Sequence, residues 1–140
     1  EEGPELICFW DRRGNSGLTR VEFDSPFKTL GVRVENGVPF VACLTDEGLV
    51  YVDFETGTKK VKSSFQNTQL DGTSQALSYS GELFALSQEE GVQLIETKNW
   101  KLIATLPANS ANSVSFSRDD RYLAVGARDG YVAEVAEYYP

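Results

Sequence analysis

Three short polar turns carry the residues best placed for chemistry. Asp46-Glu47, Glu89-Glu90 and Arg128-Asp129 each stand immediately before a glycine, respectively Gly48, Gly91 and Gly130. Presented on exposed turns, these side chains would form a mainly acidic rim for a basic partner. A second reading is local, in which the acid of each turn accepts backbone N–H bonds of that turn. A Ca²⁺ site fits less well, because a hard cation takes about six to eight oxygens from one compact loop. Trp100 follows Lys98-Asn99 at another expected turn. Exposed there it would anchor a partner; turned inward it would cap the core at the rim of its sheet.

Catalytic chemistry finds less to work with. The chain has no histidine, which removes the commonest general base and a common metal ligand. No nucleophile is paired with a base: Ser78, Ser80, Ser113 and Ser115 fall in alternating or turn contexts. No glycine-rich loop opens a helix, so a phosphate cradle is not expected. The expectation is a protein without catalytic residues, metal ligands or cofactors.

The elements that position these turns repeat. PFVACLTDEG at 39–48, ELFALSQEEG at 82–91 and RYLAVGARDG at 121–130 share one pattern of apolar residues, an alanine, a polar run and a glycine. The alanines Ala42, Ala85 and Ala124 and the three glycines keep the same spacing, 43 residues and then 39. A period near 40 in β-type residues suggests propeller blades. Strands are expected at 6–11, 18–23, 30–34, 40–44, 49–54, 59–65, 83–87, 92–96, 101–106, 113–117 and 122–127. Leu77 and Tyr79 match Val32 and Val34 as the start of the second complete unit, and 131–138 reads as a last strand. Asn36-Gly37 predicts a type I′ hairpin, which needs positive φ at both positions. FVACL at 40–44 reads as a strand covered on both faces. Lys59, Lys60 and Lys62 suit an outer edge, where charge discourages pairing with strangers. Ala85 and Ala124 are expected to be buried where adjacent sheets pack closely.

The bulk composition sets bounds. A chain of 140 residues with 41% hydrophobic residues is about one domain and can build a core. With 21 acids against 13 bases, the net charge of −8 would repel a phosphate backbone unless the bases were clustered, and direct nucleic-acid binding is not expected. No apolar run approaches the ~20 residues of a membrane span. No signal peptide is read at the start, although the chain begins abruptly at Glu1. Cys8 and Cys43 lie in apolar runs and read as free buried thiols, with a disulfide as the alternative; free thiols favour a reducing, cytoplasmic setting.

VSFSRDDRYLAVGARDGYV at 114–132 resembles a WD repeat, whose pattern is V-x-F-S-P-D-G-x-x-L-A-S-G-S-x-D-G-x-V. ICFWD at 7–11 resembles the closing V-x-V-W-D of the same repeat, with Trp10 packing between blades. The likeness to the WD-repeat β-propeller family covers most of the chain as pattern and is specific in the third unit and at Trp10-Asp11. No unit carries the Gly-His dipeptide, the complete units end in VDF and LIE, and Glu134 falls where the repeat wants an apolar residue. The resemblance implies a protein-interaction scaffold rather than an enzyme.

The expected fold is all-β, a β-propeller segment of four-stranded antiparallel blades. Residues 1–140 form a single segment, with a partial blade at 4–27, complete blades at 28–66 and 67–107, and a partial blade at 108–140. Tyr138-Tyr139 would begin a missing strand. A ring needs about four to eight blades, so closure calls for further blades from the same protein or another chain. The alternative function is part of an enzymatic or small-ligand-binding propeller, lactonase-like or sugar-binding.

Overall fold

The computed structural model describes residues 5–9, 19–64, 72, 74–108, 110–128 and 131–140. Trp10-Asp11, Asp129 and Gly130 lie outside the described residues, as does the side chain of Cys8. The chain divides into two compact units, Glu1–Ser64 and Phe65–Pro140.

In the first unit β1 (Glu5–Phe9) and β2 (Thr19–Phe23) form an antiparallel pair. β3 (Lys28–Glu35), β4 (Val38–Thr45), β5 (Gly48–Asp53) and β6 (Lys59–Ser64) form a four-stranded antiparallel meander in chain order. Asn36 and Gly37 turn β3 into β4 with φ of 53° and 78°, the two positive angles that a type I′ turn needs. Residues paired across antiparallel strands share a face. Val41, Cys43, Val50 and Val52 thus point one way and pack with Ile7, Val21 and Phe23 of the β1–β2 pair, with Phe27 and Phe54 at the margin. Phe40, Ala42, Leu44, Leu49 and Tyr51 point the other way. All of 40–44 is buried, as a doubly covered strand requires. Lys59 reinforces the first face: its ammonium donates to the Glu22 carbonyl oxygen and lies 4.3 Å from the centroid of the Phe23 ring.

In the second unit β7 (Ser74–Leu77), β8 (Leu83–Gln88), β9 (Gly91–Glu96) and β10 (Lys101–Leu106) form a second four-stranded meander. β11 (Ser113–Phe116), β12 (Tyr122–Gly126) and β13 (Tyr131–Glu134) form a three-stranded one. Leu83, Ala85, Val92, Leu94 and Leu106 join Val114, Phe116, Leu123, Val125, Ala133 and Val135 in one core. Each large side chain so buried contributes about 1.5–3 kcal/mol relative to exposure. The fold is therefore all-β, with two four-stranded antiparallel sheets, one three-stranded sheet and one two-stranded pair, and one 3₁₀ turn, among the described residues.

The repeat glycine has a packing role. Gly48 and Gly91 open β5 and β9 with φ of +134° and +154°. A Cβ on Gly48 would run into the Ser63 carbonyl oxygen, and one on Gly91 into that of Leu106. The position serves the close approach of the fourth strand as much as the turn before it.

Four expectations are corrected. Tyr79 stands in a turn, because β7 ends at Leu77. Ser78 ends that strand by taking the Leu83 N–H on its hydroxyl oxygen at 3.0 Å. The run 131–138 is a strand only to Glu134; Val135–Glu137 is a 3₁₀ turn closed by Tyr138 and Tyr139 N–H bonds to the Val135 carbonyl. Tyr138 and Tyr139 fold back against the second unit's core rather than starting a strand, as burial of their rings favours. Ala124 is exposed, because only one face of β12 packs against the core. Glu134, out of pattern, is also exposed and pairs with Arg121 at 3.8 Å.

Candidate interaction surfaces

The acidic turns occupy equal places in different sheets. Asp46 and Glu47 are exposed in the β4–β5 turn, and Glu89 and Glu90 in the β8–β9 turn. Arg128 is exposed just after β12. The first pair belongs to one unit; Glu89, Glu90 and Arg128 belong to the other.

At the β4–β5 turn, backbone capping falls to Thr45 rather than to the acids. Its hydroxyl oxygen accepts the Glu47 N–H at 3.1 Å and donates to the Gly48 carbonyl at 3.2 Å. Asp46 instead accepts the Ser25 hydroxyl at 3.0 Å, tying the loop after β2 to this turn. At the β8–β9 turn the Glu89 carbonyl oxygen takes the Ser110 N–H at 3.2 Å. Glu47, Glu89 and Glu90 thus present carboxylates to solvent from backbones that are held in place. Trp100 is half-buried in the β9–β10 turn with φ +56°, its ring edge-on to buried Phe84 at 5.7 Å between centroids. It combines the two readings of its sequence position, a core cap with a partly open face.

A groove not anticipated from the sequence lies on the second face of the β3–β6 sheet, with a volume of about 290 Å³. Phe40 and Tyr51 stack in it with centroids 4.1 Å apart. Lys62, on one edge strand, reaches Glu35, on the other, at 3.7 Å. The same ammonium lies 5.2 Å from the Tyr51 ring centroid. Burial, then the Glu35 carboxylate, pushes the Tyr51 phenol above its ordinary range, with Arg33 opposing. Asp53 caps the turn that closes the groove, accepting the Glu55 and Thr56 N–H groups at 2.7 and 3.1 Å. Asn36, Val38, Thr58 and Lys60 complete the lining. These residues come from four strands and separate turns. The available signal was the period-two placement of Lys60 and Lys62, opposite an aromatic in the facing strand.

In the second unit Asp120 stands at φ +61°, where the WD pattern has glycine, and links two sheets. Its two carboxylate oxygens accept the Tyr79 and Ser80 N–H groups at 2.6 and 2.7 Å. Neighbouring Asp119 accepts the Ser117 hydroxyl at 2.7 Å and the Arg121 N–H at 3.0 Å, which hold its carboxyl below the usual range. Tyr139 hydrogen-bonds Glu96, and that carboxylate raises its phenol above the ordinary value. Cys43, a free thiol buried in β4, is pushed up to about 12 by desolvation. Among the described residues no three His, Cys, Asp or Glu side chains converge as a metal site, and no helix is long and apolar enough to cross a membrane.

No family model and no curated protein matches the chain. Among solved structures the chain is similar to U3-55K, with 17% identity and a TM-score of 0.47. The alignment covers 80% of this chain and 40% of that one, so the chain spans less than half the length of the structure it matches.

Proposed function

We propose that this chain is a non-catalytic protein-interaction scaffold, a WD-like segment of a larger cytoplasmic propeller whose remaining blades come from the same protein or another chain. The observation that carries the reading is the pairing of doubly covered strands with rigid acidic turns. β4 and β8 are buried along almost their whole length, and each leads into an exposed turn bearing two acids. A scaffold of this kind fixes the turns, and short turns on rigid sheets are where binding concentrates. Asp46, Glu47, Glu89 and Glu90 would meet a basic partner, and Trp100, Arg128 and Asp129 are proposed as further contacts.

The test is quantitative affinity capture with the wild-type chain and a variant carrying Asp46→Lys, Glu47→Lys, Glu89→Lys and Glu90→Lys. The expected result is a partner set, enriched in basic proteins, that the variant loses at equal folded yield. Turnover of a small substrate by the purified chain, abolished by single acid-to-amide changes at those four positions, would overturn the scaffold reading.

A further inference from the structure

We infer that the groove on the β3–β6 sheet is a second docking site, for an extended peptide that places an acidic side chain two positions from a large apolar one. This inference rests on the scaffold reading and adds a partner class opposite in charge to the one expected at the acidic turns.

The chemistry follows from which groups in the groove are already engaged. Glu35 is neutralised by Lys62 at 3.7 Å. The Asp53 carboxylate is held by two backbone N–H groups of its own turn. Lys60 is exposed, and its ammonium makes no hydrogen bond or ion pair to another described residue. It is the cross-strand partner of Tyr51, so its ammonium stands on the groove face beside that ring. What remains for a ligand is an aromatic floor, Phe40 and Tyr51, with the Lys60 ammonium unpaired at its border and the Asp53 carboxylate tied into its own turn. That pair of features selects an apolar group with a carboxylate close by.

The position of the groove favours a peptide. β6 is the edge of its sheet, and an edge strand offers main-chain donors and acceptors to an added strand. A strand laid along β6 sends every second side chain to the groove face. One carboxylate then lies opposite Lys60, and an apolar neighbour two positions away leans toward the Tyr51 ring. Lys59, Lys60 and Lys62 give β6 three positive charges and no negative one, although the whole chain carries −8. At an ionic strength of 0.15 M charges beyond about 8 Å are largely screened, so the groove's own charges decide which peptide approaches: Lys59 is turned to the other face against Phe23, Lys62 is paired with Glu35, and Lys60 is left for the ligand. They discourage neutral and basic strands and admit an acidic one.

The test is titration of the full chain, labelled with ¹⁵N, with a ten-residue peptide alternating glutamate with valine in which one central glutamate is replaced by phenylalanine, so that a glutamate stands two positions to either side of it on the same face. The control replaces each glutamate by lysine. The expected result is saturable shifts of amides in 35–40, 51–53 and 58–62 with the acidic peptide alone, weakened at least about tenfold by Lys60→Glu. Lys60 is exposed, so that variant keeps its fold, and its spectrum reports this directly. Four outcomes would overturn the assignment: no binding at millimolar peptide, equal binding of the lysine peptide, equal binding by Lys60→Glu, or shifts that follow protein concentration without peptide. The same shifts with free phenylacetate at equal affinity would also overturn it, in favour of a small-ligand pocket. Because the acidic turns carry the capture experiment and lie outside these amides, failure of the groove and failure of the scaffold reading are told apart.

Discussion

β8 and β12 carry the same repeat segment and meet different surroundings. Along β8, Leu83, Phe84, Ala85, Leu86 and Ser87 are all buried, whereas β12 alternates buried Leu123 and Val125 with exposed Ala124. Both strands lie between two hydrogen-bonded neighbours in their own sheets. The difference comes from what covers the second face, and coverage is not written in a strand's own residues. A small residue at the repeat position is compatible with a tight interior and with an open surface alike.

The widest separation between the two strands should come from enlarging that residue. Ala85→Leu would overpack a site with no exposure and cost about 1–3 kcal/mol. Ala124→Leu, on an exposed face, should stay within roughly 0.5 kcal/mol. Urea unfolding of both variants checks this, and equal costs would mean that the two positions share one environment.

A smaller effect should come from the link between the two sheets. Asp120→Ala removes both oxygens that hold Tyr79 and Ser80, and should cost about 1.5–3 kcal/mol less whatever solvent returns at this half-buried site, so nearer 1 kcal/mol. Asp120→Gly relieves the left-handed backbone while losing the same bonds. If Asp120→Gly is as stable as the wild type, the turn conformation governs this position; if it falls with Asp120→Ala, the carboxylate does.

The gentlest probe of a doubly covered strand is pH. Cys43 in β4 ionises near 9.0 when unfolded and near 12 when folded. Because the folded value is raised, the folded chain keeps its proton where the unfolded chain has lost it. The stabilisation is complete below pH 9.0 and is lost as pH rises toward 12. Denaturation midpoints should therefore decline across that window. In a Cys8→Ser variant, reaction of Cys43 with a disulfide reagent at pH 8 should follow unfolding rather than compete with it, and fast labelling of that native variant would contradict the burial of β4.

The repeat, the hairpins and the lysine edge could be read from residues because each depends on local geometry. Asn36-Gly37 fits one turn type, and FVACL fits a covered strand. Tyr79 misled because an apolar residue at period two looks like strand, while the Ser78 hydroxyl that stops β7 gives no hydrophobic signal. The turn at Val135 misled because Val135, Tyr138 and Tyr139 satisfy strand and 3₁₀ burial equally well. The acidic turns were visible as dipeptides before a glycine, but not the engagement of Asp46 with Ser25. The groove escaped notice because Glu35, Phe40, Tyr51 and Lys62 converge only through cross-strand register.

Every hydrogen-bonded ladder among the described strands joins neighbours in chain order. A meander of this kind needs no long loop to close before its first contacts are rewarded, so each sheet can form within its own stretch of chain. During synthesis the β3–β6 sheet can be complete while residues beyond 64 are still being added. The order in which the ribosome releases the strands is then the order in which they pair.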